Sequence, residues 1–370
     1  MSQDQVQVAF RVDASLEIGS GHVVRCLTLA RALRNAGARC HFICRDLPGN
    51  LIFKIVEEGF VAHILPAGII EPADGNFCYA KWLEVPAQRD AEETGIKLAA
   101  IKPKWLIVDH YGIDHNWHDS INGLFEKLMV IDDLANRPLR ADLLLNQNFG
   151  ALPRDYQTFV SESCQFATGP EYCLLRPEFC ALRKTSLKQK ESGELRRILV
   201  TMGGVDLPNA ASRVLRSMDE CGLPKDVEVT VVLGSACPWI KEIETLSATL
   251  TLNSNILVDV TDMAGLMSSV DFAIGAAGGT TWEFCSLGLP FAMLAIADNQ
   301  IPTVRRLSDA GIALPLVNGV ELDQSLADAL RKAMTPALLR EYGARAAAVT
   351  DGMGVYRVLG LMGFSAEVDV

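Results

Sequence analysis

Hydrophobic and polar residues alternate along the chain in a pattern typical of parallel β-sheets covered by helices. Short runs rich in Val, Ile and Leu are separated by segments of helical period, several of which end in glycine. In the first half these runs predict strands at Val6–Val12, Cys40–Cys44, Val61–Leu65, Trp105–Asp109, Leu128–Ile131 and Leu143–Leu145. Helices are predicted at Val23–Asn35, Asn50–Glu58 and about Gln88–Ile101. Strands separated by helices of this length form parallel βαβ units.

The same alternation resumes in the second half of the chain. It predicts strands at Ile198–Thr201, Val227–Leu233, Ile256–Val260, Phe272–Ile274 and Phe291–Ile296, and helices at Asn209–Cys221, near Trp239–Leu250, at Thr280–Leu287, near Ile301–Ala310 and near Asp323–Met334. Periodicity weakens between about Gly150 and Glu194, and residues 67–84 have no clear period and are interpreted as a surface loop. We therefore predict an α/β protein with two Rossmann-like domains facing across a cleft: residues 1–150, a connection at 151–194, and residues 195–370, which end in helices.

Composition narrows the possible partners. The 370 residues are enough for two domains, and the formal net charge of −11 disfavours a nucleic acid or an anionic membrane surface as a partner. The ten cysteines include no C-x-x-C pair and no zinc-ligand spacing, which indicates reduced thiols in the cytoplasm. No stretch of about 18 apolar residues is present. We expect a cytoplasmic protein that acts on a small molecule.

A glycine-rich turn follows the first predicted strand. Gly19 and Gly21 allow close backbone approach at the start of a helix, where free N–H groups can bind a phosphate. His22 lies at the same point, so a general base would stand beside the anion. The alternative is a tight turn with a solvent-facing histidine, and these residues alone leave both open.

Charged residues flank this turn on both sides. Arg11 and Asp13 end the preceding strand, and Arg25 lies three residues beyond His22. A carboxylate beside the imidazole, with Asp13 as the candidate, would fix its tautomer and raise its basicity. The arginines would contact an anionic substrate.

Polar residues also end two other predicted strands. After Trp105–Val108, Asp109 is either a ligand contact or a helix cap, whereas the Tyr111 hydroxyl can hold a water or a sugar hydroxyl without adding charge. After the next strand, Asp132 and Asp133 could bind a metal, but adjacent side chains diverge. We favour one aspartate capping a turn and the other pairing with Arg137.

Two glycine turns of the second half are candidates for nucleotide binding. The first turn follows the strand that ends at Thr201. The second turn is the stronger candidate, because small residues end the strand before it and threonines begin the helix after it. A carboxylate in the first turn of that helix can accept hydrogen bonds from a ribose diol, and the next strand ends in amides. The candidates are Gly203, Gly204, Asn209, Gly278, Gly279, Thr280, Thr281, Glu283, Asn299 and Gln300.

Together these motifs resemble one family over nearly the whole chain. They are Phe10–Ser15, Ile18–His22 with Arg25, Val108–Gly112, Ile131–Asp133, Leu144–Asn148, Leu174–Phe179 with Arg176, Met202–Gly204 with Asp206 and Asn209, Gly279–Glu283, and Asn299–Gln300. The chain looks like the UDP-2,4-diacetamido-2,4,6-trideoxy-β-L-altropyranose hydrolases of pseudaminic acid biosynthesis, which are related to GT-B glycosyltransferases. Val205 and Gly279 depart from the family pattern, since hydroxyl residues are common at both positions.

The resemblance implies metal-independent, cofactor-independent hydrolysis at the anomeric carbon of a UDP-sugar, with C–O cleavage, inversion and release of UDP. His22 matches the family's general base and Tyr111 its water- or substrate-positioning tyrosine. The second half would bind UDP, with Gly279, Thr280 and Glu283 at phosphate and ribose. Two other functions stay open: a GT-B glycosyltransferase that transfers the sugar to a hydroxyl, and a nucleotide-sugar-binding subunit without chemistry. We expect a monomer in each case.

Overall fold

The computed structural model describes residues 5–68 and 79–365. The chain divides into two compact units, of which unit 1 comprises Met1–Leu174 and Gly354–Asp369 and unit 2 comprises Leu175–Met353. Each unit is built on one parallel sheet with helices between the strands. No helix among the described residues is long and apolar enough to cross a membrane.

Unit 1 contains a seven-stranded parallel sheet in the order β3-β2-β1-β4-β5-β6-β7. Its strands are β1 (Gln7–Val12), β2 (Arg39–Arg45), β3 (Val61–Leu65), β4 (Trp105–Asp109), β5 (Lys127–Ile131), β6 (Leu143–Asn146) and β7 (Gln165–Thr168). Its helices are α1 (Gly21–Asn35), α2 (Ile52–Glu57), α3 (Ala87–Ile101), α4 (His115–Ser120) and the C-terminal α13 (Gly354–Leu361). The strand order reverses between β1 and β4, which places a topological switch point at their carboxyl ends.

The two faces of the unit 1 sheet pack into separate apolar cores. On β1, Val8, Phe10 and Val12 face a core shared with α1 and α13, whereas Ala9 belongs to the opposite core, which includes residues of α3 and α4. Because side chains alternate along a strand, Arg11 points to the same side as Ala9. This alternation determines the partners of Arg11, as described below.

Unit 2 contains a six-stranded parallel sheet in the order β10-β9-β8-β11-β12-β13. The strands are β8 (Arg197–Thr201), β9 (Glu228–Leu233), β10 (Asn253–Val258), β11 (Phe272–Ala276), β12 (Phe291–Leu294) and β13 (Leu314–Leu316). The helices are α5 (Pro177–Lys190), α6 (Ala210–Glu220), α7 (Ile240–Ser247), α8 (Met263–Ser269), α9 (Thr280–Ser286), α10 (Ile301–Asp309), α11 (Leu322–Ala333) and α12 (Pro336–Ala347). The central strands are buried on both sides, as the continuous apolar runs predict.

The division of the chain differs from the one expected from the sequence. Residues 151–194 contain the edge strand β7 and the helix α5 rather than only a connection. The last helix, α13, returns to unit 1 because Val355, Val358 and Leu359 complete the core over α1. Of the expected loop at 67–84, residues 69–78 lie outside the described residues, and Ala80–Leu83 form a 3₁₀ turn.

Candidate active site

The turn that follows β1 places His22 in the first turn of α1. Ser15 and Gly19 pair in an isolated bridge that closes the turn. Gly19 has a φ of +80°, which residues with a side chain rarely adopt. A Cβ at Gly21 would meet nothing within 4 Å among the described residues. The turn therefore has the expected backbone, and its outer side has room for a ligand.

His22 is oriented by Asp109 at the end of β4. Its Nδ1 lies 2.6 Å from Oδ1 of Asp109, and both residues are buried. Burial alone would raise the pKa of Asp109, but the positive charge of Arg25, together with the hydrogen bonds from Arg25 and His22, outweighs it and holds that pKa well below its usual range. An ionised carboxylate can only accept, so Nδ1 carries a proton, and in the neutral imidazole Nε2 then keeps the lone pair. This is the tautomer that a general base requires.

Arg25 ties the two carboxylates of the site together. Its Nε and Nη2 donate to Asp109 at 2.6 and 2.7 Å, and its Nη1 donates to Asp133 at 2.8 Å. Nη2 also lies 3.3 Å from Nδ1 of His22, but that nitrogen already directs its proton to Asp109, so the approach is not a hydrogen bond. Arg25 was expected to contact the substrate. Its Nε, Nη1 and Nη2 each donate to a site carboxylate, so Arg25 holds these carboxylates, and its contact with a substrate stays a prediction.

Asp133 and Tyr111 form the second half of this network. Tyr111 donates its hydroxyl proton to Oδ2 of Asp133, and Nδ2 of Asn148 donates to Oδ1 of the same carboxylate at 2.8 Å. Burial, followed by the negative charge of Asp133, raises the pKa of Tyr111 well above its usual value. Tyr111 is therefore a neutral phenol whose single proton is directed away from His22.

Aromatic side chains surround the imidazole on one side. The Tyr111 ring meets the His22 ring edge-on at 4.7 Å between centroids, with 84° between the planes. Trp82, from the 3₁₀ turn, stacks on Tyr111 at 5.4 Å, and Tyr79 packs edge-on against both. These rings form an apolar wall beside the base.

Asp13 and Arg11 do not join this network. Nη1 of Arg11 lies 2.7 Å from Asp13, and Nη2 lies 2.7 Å from Asp90 on α3. Asp13 also accepts the backbone N–H of Arg45 at 2.7 Å. Arg11 and Asp13 are buried in these ion pairs, which leaves no substrate contact to the arginine and assigns the orientation of His22 to Asp109 rather than Asp13.

The two adjacent aspartates after β5 have different environments. Asp132 accepts the N–H groups of Leu134 and Ala135 and pairs with Arg137 at 2.7 Å, so one residue makes both contacts that were expected from the pair. Asp133 turns to the site instead. Among the described residues there is no group of three or more His, Cys, Asp or Glu that could hold a metal ion.

In unit 2, the turn between β11 and α9 presents small residues and a half-buried carboxylate. A Cβ added at Gly278 or Gly279 would meet no atom within 4 Å among the described residues, and Thr280 begins α9. Thr281 is buried, and its Oγ1 has no hydrogen-bond partner in the described part of the chain. Burial raises the pKa of Glu283 to about 6, and the positive charge of Arg176 partly opposes it. The turn has open space for a ligand and an acid that titrates near neutrality.

Three of the other predicted nucleotide contacts of unit 2, Asn209, Arg176 and Gln300, hydrogen-bond to other residues of the unit. Gly203 has a φ of +85°, and Asn209, also with positive φ, donates to Glu242 at 3.0 Å. Arg176 donates to the Thr261 carbonyl at 3.2 Å. The remaining three are exposed or half-buried: Gly204, Asn299, and Gln300, whose Oε1 accepts the Ile296 N–H at 3.0 Å. Their roles in binding stay predictions.

Three residues of the unit 1 site, Asp133, Asn148 and Trp82, were not predicted to belong to it, although two of them lie in the family motifs. Asp133 and Asn148 follow the neighbouring strands β5 and β6, and the ends of adjacent parallel strands meet at one edge of the sheet. That rule places both residues near His22, but it does not by itself distinguish Asp133 from Asp132. Trp82 lies in a stretch without periodicity, so no comparable signal was available for it.

No protein-family model matches the chain. It is 26% identical over 313 residues to the UDP-2,4-diacetamido-2,4,6-trideoxy-β-L-altropyranose hydrolase of Campylobacter jejuni, covering 83% of this chain and 97% of that protein. It is 28% identical over 366 residues to the spore coat polysaccharide biosynthesis protein SpsG of Bacillus subtilis, covering 96% and 98%. An uncharacterised protein of Methanocaldococcus jannaschii is 27% identical over 293 residues, and the match spans 55% of its length. The resemblance read from the motifs is supported by these relatives.

Solved structures confirm the two-domain, GT-B-like α/β fold. MurG of Acinetobacter baumannii superposes with a TM-score of 0.68 at 16% identity, covering 97% of this chain and 99% of MurG. The glycosyltransferase SnogD of Streptomyces nogalater gives a TM-score of 0.57 at 16% identity, covering 97% and 99%. At such low identities the likeness shows the fold alone.

Proposed function

We propose that this chain hydrolyses a UDP-diacetamido-trideoxyhexose at the anomeric carbon, with inversion, and releases UDP and free 2,4-diacetamido-2,4,6-trideoxy-L-altrose. The similarity to the Campylobacter jejuni hydrolase supports the substrate class. The similarity to SpsG supports a broader role of nucleotide-sugar chemistry in polysaccharide biosynthesis. The GT-B-like fold is compatible with both.

The observation that carries the proposal is the His22–Asp109 pair. Asp109 fixes the proton on Nδ1, so Nε2 can take a proton from a water molecule, and among the described residues Nε2 makes no hydrogen bond. As that proton moves to Nε2, the water oxygen bonds to the anomeric carbon. The bond between this carbon and the diphosphate oxygen breaks, and its electron pair leaves with UDP. The resulting imidazolium is stabilised by the ionised Asp109 until it loses its proton to solvent.

Departure of UDP requires stabilisation of its charge. We propose that the turns of unit 2 around Gly203 and Gly279 supply backbone N–H groups to the diphosphate, and that Glu283 accepts hydrogen bonds from the ribose. Contacts to the nucleotide act in the ground state and the transition state alike, whereas His22 acts chiefly as water attacks. Mutations in the two units are therefore expected to have different kinetic effects.

The test is to incubate the full chain with UDP-2,4-diacetamido-2,4,6-trideoxy-β-L-altrose, EDTA and no sugar acceptor. NMR should show UDP and free sugar, with the first-formed anomer inverted, and in heavy-oxygen water the label should enter the sugar and not UDP. His22→Asn should lower kcat by roughly 10²–10⁴ with UDP affinity unchanged, as expected for loss of a general base.

His115→Asn is the matched control, because this histidine is partly exposed on α4 and lies outside the network. UDP release that requires an added hydroxyl acceptor would instead identify a glycosyltransferase. No release with any acceptor, despite tight binding, would identify a binding subunit. Loss of activity in EDTA, restored by Mg²⁺ or Mn²⁺, would contradict the metal-independent reaction.

A further inference from the structure

The Asp133 carboxylate determines the hydrogen-bonding character of Tyr111. It accepts from three donors: the Tyr111 hydroxyl, Nη1 of Arg25 at 2.8 Å and Nδ2 of Asn148 at 2.8 Å. Because all three groups donate to it, this carboxylate acts only as a hydrogen-bond acceptor. A phenol has one proton, and Tyr111 directs it to Asp133. The Tyr111 oxygen can therefore only accept a hydrogen bond from anything that enters the site.

His22 is restricted in the same way by a different carboxylate. Its one ring proton is on Nδ1 and points to Asp109 at 2.6 Å, so Nε2 is also an acceptor. The two rings are in contact, nearly perpendicular, with centroids 4.7 Å apart. Two neighbouring acceptors therefore line the site beside the apolar face of Trp82, because each of them donates its one proton to its own aspartate.

This arrangement discriminates between nucleophiles. Water has two protons and can donate to both acceptors at once, which leaves a lone pair free to attack carbon. An alcohol has one proton, so it would leave one acceptor unpaired in a buried site, and unpaired buried polar groups are costly. The geometry favours water for a reason that does not depend on which sugar is bound.

We propose that Asp133 is a positioning residue that keeps Tyr111 an acceptor, so that Tyr111 and His22 together hold the attacking water and reject alcohols. The inference rests on the proposed hydrolase function. In the reaction step, one water proton passes to Nε2 of His22 while the other stays hydrogen-bonded to Tyr111. The oxygen bonds to the anomeric carbon as the carbon–oxygen bond to UDP breaks.

The kinetic test measures the choice between water and methanol. Wild type, Asp133→Leu, Asp133→Asn, Tyr111→Phe and the double variant Asp133→Leu/Tyr111→Phe are incubated with the UDP-sugar in methanol at a concentration that leaves their circular dichroism unchanged. Wild type should form free sugar almost exclusively. Asp133→Leu and Tyr111→Phe should lower kcat by about tenfold, the effect of one hydrogen bond, and raise the ratio of methyl glycoside to free sugar.

Two comparisons separate positioning from general damage to the site. The double variant should give the same product ratio as Tyr111→Phe alone, because Asp133 acts through Tyr111. Asp133→Asn keeps an acceptor oxygen and should stay close to the wild-type ratio. Asp119→Leu removes a carboxylate that is exposed on α4 and serves as the control. A wild-type product ratio in Asp133→Leu, or additive effects in the double variant, would overturn the proposal.

A second readout does not depend on turnover. In protein labelled at tyrosine Cζ, the Tyr111 signal is identified by its loss in Tyr111→Phe. Its chemical shift should change in Asp133→Leu, because the hydroxyl loses its acceptor, and stay near wild type in Asp133→Asn. An unchanged shift in Asp133→Leu would overturn the assigned hydrogen bond. Failure of wild type to release UDP would count against the proposed function instead, whatever the NMR result.

Discussion

Replacing Asp109 by asparagine is the sharpest perturbation of the proposed base, because the two side chains have the same shape. Oδ1 of Asp109 accepts from Nδ1 of His22 and from Nη2 of Arg25 at 2.7 Å, and Oδ2 accepts from Nε of Arg25 at 2.6 Å. A carboxamide has only one acceptor oxygen, so an NH₂ group must replace either Oδ1 or Oδ2 and face the donors that this oxygen accepted from. Arg25 donates to both positions, and we expect the amide oxygen to keep the shorter of these charged contacts, the one to Nε, so that the NH₂ group takes the position of Oδ1.

The NH₂ group of the asparagine would then face Nδ1 of His22. It can be satisfied only if Nδ1 becomes the acceptor, which moves the imidazole proton to Nε2. In that tautomer His22 cannot take a proton from water. The corresponding change in a Ser–His–Asp triad lowers kcat by about 10⁴, and loss of a general base lowers it by roughly 10²–10⁴. We expect Asp109→Asn to fall within this range, which corresponds to about 3–5 kcal/mol in the activation barrier.

The assay combines rates of UDP release at saturating UDP-sugar with NMR of nitrogen-labelled histidine, in which His22 is identified by its absence in His22→Asn. Asp114→Asn is the matched control, since Asp114 caps α4 and asparagine is an equally good N-cap. The reasoning is refuted if Asp109→Asn keeps more than about a third of wild-type kcat, or if Nε2 of His22 in this variant carries no proton.

Two further predictions concern Glu283 and His118. If the Glu283 carboxylate accepts hydrogen bonds from the ribose hydroxyls, Glu283→Ala should weaken UDP binding by about 1–3 kcal/mol in calorimetry. Because the pKa of Glu283 is about 6, the UDP affinity of wild type should decrease below that pH. An unchanged affinity in Glu283→Ala would contradict the assignment. His118 is fully buried, and burial, followed by the charges of Arg137, His115 and Arg140, lowers its pKa to about 3. The contribution of His118 to the free energy of unfolding is therefore complete above about pH 6.5, the pKa of histidine in the unfolded chain. This contribution is lost as pH falls, by about 2 kcal/mol at pH 5. Urea unfolding at pH 7 and pH 5 should show a smaller pH dependence in His118→Asn than in wild type, and equal slopes would contradict it.

The predicted fold was accurate where burial governs the sequence pattern. Strands such as β4 and β11 are buried along their whole length, and their continuous apolar runs identify them. The helix α5 was missed because its sequence is mostly polar, and β7 was missed because it is an edge strand of four residues. The return of α13 to unit 1 depends on tertiary packing, which local patterns do not encode.

The site was only partly predictable, because residue type does not specify partners. His22 and Tyr111 stand out by their position at strand ends and by the family motifs. The neighbours Asp132 and Asp133 look equivalent in sequence, yet one pairs with Arg137 and the other with Tyr111 and Arg25. The backbone after β5 and the side chains that follow β4 and β6 determine which of the two carboxylates faces the site. This choice therefore cannot be made before the strands are placed side by side.

Arg11 and Arg25 show how this assembly assigns opposite roles to the same residue type. Both lie within a few residues of the same glycine turn, and both were expected to contact an anion. Arg11 lies inside β1, where alternation turns it toward α3, and Asp90, 79 residues away in sequence, neutralises it in a fully buried pair. Arg25 lies on α1 one turn after His22, so it shares the helix face that meets Asp109 and Asp133. Each arginine is thus neutralised by carboxylates. The positive charge of Arg25 lowers the pKa of Asp109, and its hydrogen bonds hold Asp109 and Asp133 where these carboxylates accept the protons of His22 and Tyr111.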